Sequence, residues 1–255
     1  MLRAVKLALS PLLLWQGRGV RRRALRLPEA EGARVGVAGT GAVCLRVLIV
    51  GDSSAAGVGA ATQTQALAGR LSEALSQRLR GAVAWQLVAQ TGHTTRDAVE
   101  ALKVLPLHPA DVKVTALGVN DVVSQVSARR WLSDLGKLDW LASRRAGVRH
   151  IVHSGVPPMH ALPLLPQPLR WVLGTDAQRF NKALVEWVAL YPDRWTLPLP
   201  FEDHLASAGP LMAEDGFHPG PAIYALWAEQ LAGKISGEIV PLLPETTPTR
   251  RNPPR

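Results

Sequence analysis

The sequence predicts an α/β domain, with a parallel sheet covered by helices on both faces. Three observations predict it. Five short apolar runs rich in branched residues recur along the chain as buried strands would. Segments of helical periodicity lie between them. The residues able to do chemistry gather in the loops that follow the runs, and open α/β sheets place their sites beyond the carboxyl ends of their strands.

The elements follow in order. Val43–Val50 is the first strand. Thr62–Leu79 is a helix, with Leu67, Leu71, Leu75 and Leu79 four apart on one face. Val83–Ala89 is the second strand, and Thr94–Leu105 a helix that Thr94 or Thr95 can cap, with Asp97 in its first turn. Val112–Leu117 is the third strand, Ala128–Ala146 a helix and Val148–His153 the fourth strand. Thr175–Leu190 is a helix and Trp195–Leu199 a weak fifth strand. Pro219–Ile235 closes the domain, its prolines tolerated in the first turn. Strand-helix alternation of this kind implies right-handed crossovers.

Three segments follow from this: a basic segment and Gly/Ala-rich linker over residues 1–41, the domain over 42–240, and a frayed Pro/Arg tail over 241–255. The net charge of +9 in 255 residues invites a nucleic-acid reading until it is located. Residues 1–39 carry +6 and residues 245–255 carry +2, leaving the body near neutral. No zinc-finger spacing or RNA-recognition motif accompanies the charge, so no nucleic-acid partner is expected. Cys44 is the one cysteine; it precedes an apolar run and reads as a small buried residue. Leu7–Trp15 is an apolar run too short to span a bilayer, followed by Arg18, Arg21, Arg22 and Arg23 in place of a small-residue cleavage site. It reads equally as a helix lying on an anionic membrane surface or as an amphipathic segment packed on the domain. A cytoplasmic or membrane-peripheral location is expected ahead of secretion.

Each loop at the carboxyl edge holds something chemical. After the first strand comes Gly51-Asp52-Ser53-Ser54, with room for a substrate at Ser53. A serine hydroxyl needs a base to take its proton and donors to hold the oxyanion that forms. After the second strand, Gly92 in Thr91-Gly92-His93-Thr94 can present a backbone N–H. After the third, Asn120 in Gly118-Val119-Asn120-Asp121 can donate from its amide. After the fifth comes Asp215-Gly216-Phe217-His218-Pro219, whose spacing lets Asp215 orient His218 and stabilise its cation. Each piece alone is weak; their order along the chain carries the argument.

These four pieces resemble the sequence blocks of the GDSL (SGNH) hydrolases over roughly residues 45–235. The resemblance implies a flavodoxin-like three-layer sandwich with about five parallel strands. It implies Ser53 as nucleophile, His218 as base, Asp215 as its partner, and an oxyanion hole made by Ser53, Gly92 and Asn120. The chain departs from the pattern at Ser54, where the family has leucine, and in the second block, which reads Gln90-Thr91-Gly92-His93. The implied activity is hydrolysis of a small-molecule or lipid ester through an acyl-enzyme. An acyltransferase on the same site and a catalytically idle, membrane-associated binding protein stay open.

Other readings are weaker. Ser54 rivals Ser53 by adjacency. Residues 51–59 could cradle a phosphate but lack a P-loop's Gly-Lys-Ser/Thr ending. The Gly-x-Ser-x-Gly elbow is absent. His93, His150, His153, His160 and His204 are scattered, so no metal site is expected, nor any cofactor; they read as surface or supporting residues. The segment Gly155–Gly174 holds five prolines yet is strongly apolar. Met159, Leu162, Leu164, Leu165 and Trp171 could line an acyl pocket there, or simply pack over the sheet edge or against a second copy.

Overall fold

The structure is a computed structural model that describes residues 2–199 and 211–244. Helix α1 (Leu2–Arg23) precedes the sheet. Then come β1 (Val35–Ala38), β2 (Val43–Gly51), α2 (Ser53–Ala56), α3 (Leu67–Leu79), β3 (Ala82–Ala89), α4 (Thr95–Val104) and β4 (Val112–Ala116). α5 (Val119–Val123), α6 (Ala128–Ala146), β5 (His150–Ser154), α7 (Leu169–Val188), β6 (Arg194–Leu197) and α8 (Pro221–Lys234) complete the order. The Pro/Arg tail beyond residue 244 and residues 201–210 of the last carboxyl-edge loop lie outside the described residues.

The sheet runs β1-β3-β2-β4-β5-β6. The last five strands are parallel, in the order expected of a flavodoxin-like sheet. β1 adds an antiparallel edge, with Val35 opposite Gln86 and Ala38 opposite Val83. Residues 28–41 are therefore more than a linker. Val35 and Val37 lie on an edge strand and stay exposed, so no continuous apolar run marks them.

β2 shows why the parallel strands read so clearly. Leu45, Val47 and Ile49 face the layer of α3 and α8, while Leu48 and Val50 face α4 and α6. Both faces are covered, so nearly every position is apolar. On α3, Leu67, Leu71 and Leu75 are fully buried. Each stabilises the domain by about 1.5–3 kcal/mol.

Other boundaries shift for local reasons. Residues 62–66 form turns, Thr62 accepting from Gln65 and pairing with Glu31, so the first long helix starts at Leu67. α7 begins at Leu169, immediately after the last proline of the run, and not at Thr175. Cys44 is only half buried, its Sγ 3.3 Å from Ala82 O.

Candidate active site

β2 and β4 are neighbours whose following chains part to opposite faces, which opens a crevice at their carboxyl ends. Gly51 ends β2, and a Cβ there would fall 2.7 Å from Ala116 O and 2.3 Å from Ala55 Cβ. Asp52 then caps α2, accepting from Ser54 N at 3.0 Å. Ser53 is thus the first residue of a one-turn helix, 8% exposed at the floor of the crevice.

His218 arrives on a hairpin-like loop. Met212 bridges Pro219, Ala213 N donates to His218 O at 2.9 Å, and Gly220 N donates to Leu211 O at 3.0 Å. Gly59 lets this loop come close. It has φ +94°, and a Cβ there would fall 2.3 Å from Pro219 O. Tyr224 of α8 locks the same corner by donating to Val58 O at 2.7 Å.

The result is a continuous hydrogen-bonded line. Asp215 Oδ2 lies 2.5 Å from His218 Nδ1, and His218 Nε2 lies 2.9 Å from Ser53 Oγ. Asp215 Oδ1 accepts from the N–H groups of Phe217 and His218 at 2.9 Å each. Burial pushes the Asp215 carboxyl up, but these hydrogen bonds and the facing imidazole outweigh it and hold the carboxyl below its usual range. A carboxylate on Nδ1 keeps the proton there and leaves Nε2 to accept from the serine.

On the other side of Ser53, Asn120 projects from α5. Its amide donates to His93 O at 3.0 Å and reaches Asp52 Oδ2 at 3.5 Å. This joins the Asn120 and Gly92 loops. Gly92 is exposed and has φ +85°. Neither the Ser53 N–H nor the Gly92 N–H has a hydrogen-bond partner among the described residues.

Three supporting residues carry no sequence signal for their roles: Asp52 and Asp121, which stand within the motifs, and Asn181, which stands beside none. Asp121 is buried and accepts from Thr95 N and Oγ1 at 3.0 and 2.9 Å, tying the start of α4 to α5. Asn181 of α7 bonds both backbone groups of Val156 and fastens the loop after β5. Asp52 is 2% exposed; burial raises its carboxyl to about 6 against the pull of Ser54 and His218.

A narrow apolar cavity of about 30 Å³ opens beside Ser53. Leu117, Leu162, Phe217 and Trp227 are among its walls. Of the five residues expected around an acyl pocket, Leu162 lines it. Met159 and Leu165 are buried in a core cluster with Trp131 and Leu169, so ordinary packing claims them. Leu164 is half buried, and Trp171 is 46% exposed on α7. Ser54 also lines the cavity, but among the described residues the imidazole bonds Ser53.

His93 contributes its carbonyl to the site. His153 is not a surface residue. It lies on β5, 1% exposed, 3.4 Å from Asp139 and 2.8 Å from Thr115 Oγ1.

The doubly wound sheet, with its serine, glycine, asparagine and histidine on the carboxyl-edge loops after β2, β3, β4 and β6, is the SGNH hydrolase fold. The chain belongs to the GDSL-like lipase/acylhydrolase family, whose model matches residues 49–226. None of the curated proteins matches its sequence significantly. Solved structures share the fold at low identity. A psychrotrophic esterase, EstA from a Pseudoalteromonas species, solved with a monoethylphosphonate inhibitor, has 17% identity and a TM-score of 0.54 over 74% of this chain and 96% of its own. TesA has 19% identity and a TM-score of 0.56 over 76% and 99%. The lipase Lip_vut3 from a goat rumen metagenome has 16% identity and a TM-score of 0.57 over 76% and 97%.

Proposed function

We propose that this hydrolase cleaves carboxylic esters by two-step acyl transfer through Ser53. The observation that carries the reading is the Asp215–His218–Ser53 line, with both contacts within hydrogen-bond reach in the free protein. His218 Nε2 takes the Ser53 proton as Oγ attacks the ester carbonyl. The alcohol leaves with that proton, and His218 then activates water to release the acid. Asp215 stays ionised and stabilises the imidazolium.

The oxyanion falls to the unpartnered N–H groups of Ser53 and Gly92 and to the Asn120 amide. The Asn120 contact to Asp52 is the longer of its two, and it is the hydrogen given up to the substrate. The apolar cavity takes the first carbons of the acyl group, with Leu162 on its wall.

Hydrolysis of a short p-nitrophenyl ester by the wild type, absent in Ser53→Ala and in His218→Ala and retained in Ser54→Ala, is the expected pattern. Full activity in Ser53→Ala would contradict the reading. Product analysis with added alcohol distinguishes water from another acyl acceptor.

A further inference from the structure

We propose that the outward face of α1 is a docking surface for an anionic lipid bilayer. The helix is held to the domain by one side only. Gln16 donates to Gln167 O at 2.6 Å and accepts from Leu169 N at 3.1 Å. Lys6 pairs with Asp176 and donates to Gln125 Oε1 at 2.8 Å. Leu13 and Val20 pack on the core cluster around Trp131 and Leu169.

The opposite side is apolar and open. Leu7 is 76% exposed, Leu14 60%, Trp15 70% and Leu12 39%. Leu7, Leu14 and Trp15 stand seven and eight residues apart, so they share a face. Single exposed leucines are ordinary on a protein surface, but Leu7, Leu14 and Trp15 on one face of a single helix, with Leu12 at its flank, form a patch.

Charge selects the occupant. Arg18 and Arg22 continue that face, and Arg23 and Arg26 follow. None of the four has an acidic partner among the described residues, and α1 contains no acid at all. A second copy meeting this face would press an unmatched arginine cluster into an interface, at a desolvation cost. A bilayer with anionic headgroups meets both halves: acyl chains for the leucines, the headgroup level for Trp15, and phosphates for the arginines. No helix among the described residues is long and apolar enough to cross a membrane, so the contact is with the surface. The helix is anchored on the loop and helix start that follow Leu162, beside the catalytic crevice. The contact itself does not depend on the chemistry proposed at Ser53.

The test is co-sedimentation of the full chain with vesicles of phosphatidylglycerol and phosphatidylcholine, against phosphatidylcholine alone, at low and high salt. Binding to the mixed vesicles that weakens with salt is expected. It should fall at least tenfold in the combined Leu7→Ser, Leu14→Ser, Trp15→Ser variant. It should fall roughly fivefold for each of Arg18→Gln and Arg22→Gln. Circular dichroism and hydrolysis of a water-soluble ester serve as controls, and both should be unchanged. Absence of binding, equal binding by the triple serine variant, or equal binding to phosphatidylcholine at high salt would overturn the proposal. So would a dimer in light scattering that the triple variant dissolves.

Discussion

Two histidine–aspartate pairs sit in this molecule, His218–Asp215 at the carboxyl edge of the sheet and His153–Asp139 between the sheet and α6. Each imidazole has a carboxylate at one nitrogen and a hydroxyl at the other; what differs is access and the neighbouring charge. His218 is 16% exposed and has a serine on its far nitrogen, with an apolar cavity beside it. His153 is enclosed, with Thr115 on Nδ1 and Asp139 3.4 Å from Nε2. Asp139 is crowded by cations: Lys113, fully buried, bonds its Oδ1, and Arg194 Nε lies 3.2 Å from its Oδ2. The Arg194 guanidinium in turn lies over Tyr191 at 3.7 Å and Trp187 at 4.7 Å.

Electrostatics follow the same division. Burial pushes the Asp139 carboxyl up, but Lys113 and His153 outweigh burial and hold it far below its usual range. Burial lowers both Lys113 and His153, with Asp139 pulling each the other way. That group is a buried ion cluster in which one carboxylate faces two cations and an enclosed imidazole. A histidine–aspartate pair becomes a base only where the second ring nitrogen meets a nucleophile and a substrate can reach it. Elsewhere the same pair is part of the packing.

The contrast can be broken by substitution. His218→Ala or Ser53→Ala should lower kcat by on the order of 10⁴–10⁶ with little change in unfolding free energy. Asp139→Asn should do the reverse. It strips Lys113 and Arg194 of their anion and should cost about 3–5 kcal/mol in urea unfolding, while turnover per folded molecule persists. If Asp139→Asn lost turnover and kept its stability, the two pairs would not differ as described.

Smaller effects sharpen the picture of the catalytic edge. If Asn120 donates to the oxyanion as proposed, Asn120→Ala should reduce kcat on the order of 10²–10³, with KM little changed. Asp52 gives a pH-dependent effect. Folding raises its carboxyl from 3.8 to about 6, so its stabilisation is complete below 3.8 and is lost as pH rises through about 6. Asp52→Asn should therefore gain on the order of 1–3 kcal/mol over the wild type at about pH 8 and nearly nothing at about pH 3.5, read from urea midpoints. Leu162→Ala should have the smallest effect: a shift of a few fold toward longer p-nitrophenyl esters, from a widened cavity.

Much of this was legible in the sequence, for identifiable reasons. β2 and β4 are covered on both faces; β2 is therefore an unbroken apolar run from Val47 to Val50, and β4 reads as a strand despite Lys113 and Thr115. The candidate site residues follow strand ends, and strand ends are visible. β1 escaped because Val35 and Val37 are exposed on an edge between glycines. α2 and α5 escaped because four and five residues carry no helical period. The start of α7 was masked by prolines that in fact stop at its N-cap, Pro168. The Lys113–Asp139–His153–Arg194 cluster draws one residue from each of four elements, and no spacing along the chain reports such a meeting. The same holds for Asp121 and Asn181, which act across loops.

The central claim is that Ser53 is the nucleophile and His218 its base. A fluorophosphonate probe followed by peptide mass spectrometry tests it most directly. The expected result is one adduct per chain, on Ser53, lost in His218→Ala and unaffected by Asp139→Asn. An adduct on Ser54, or labelling of Ser53 that survives His218→Ala undiminished, would contradict it.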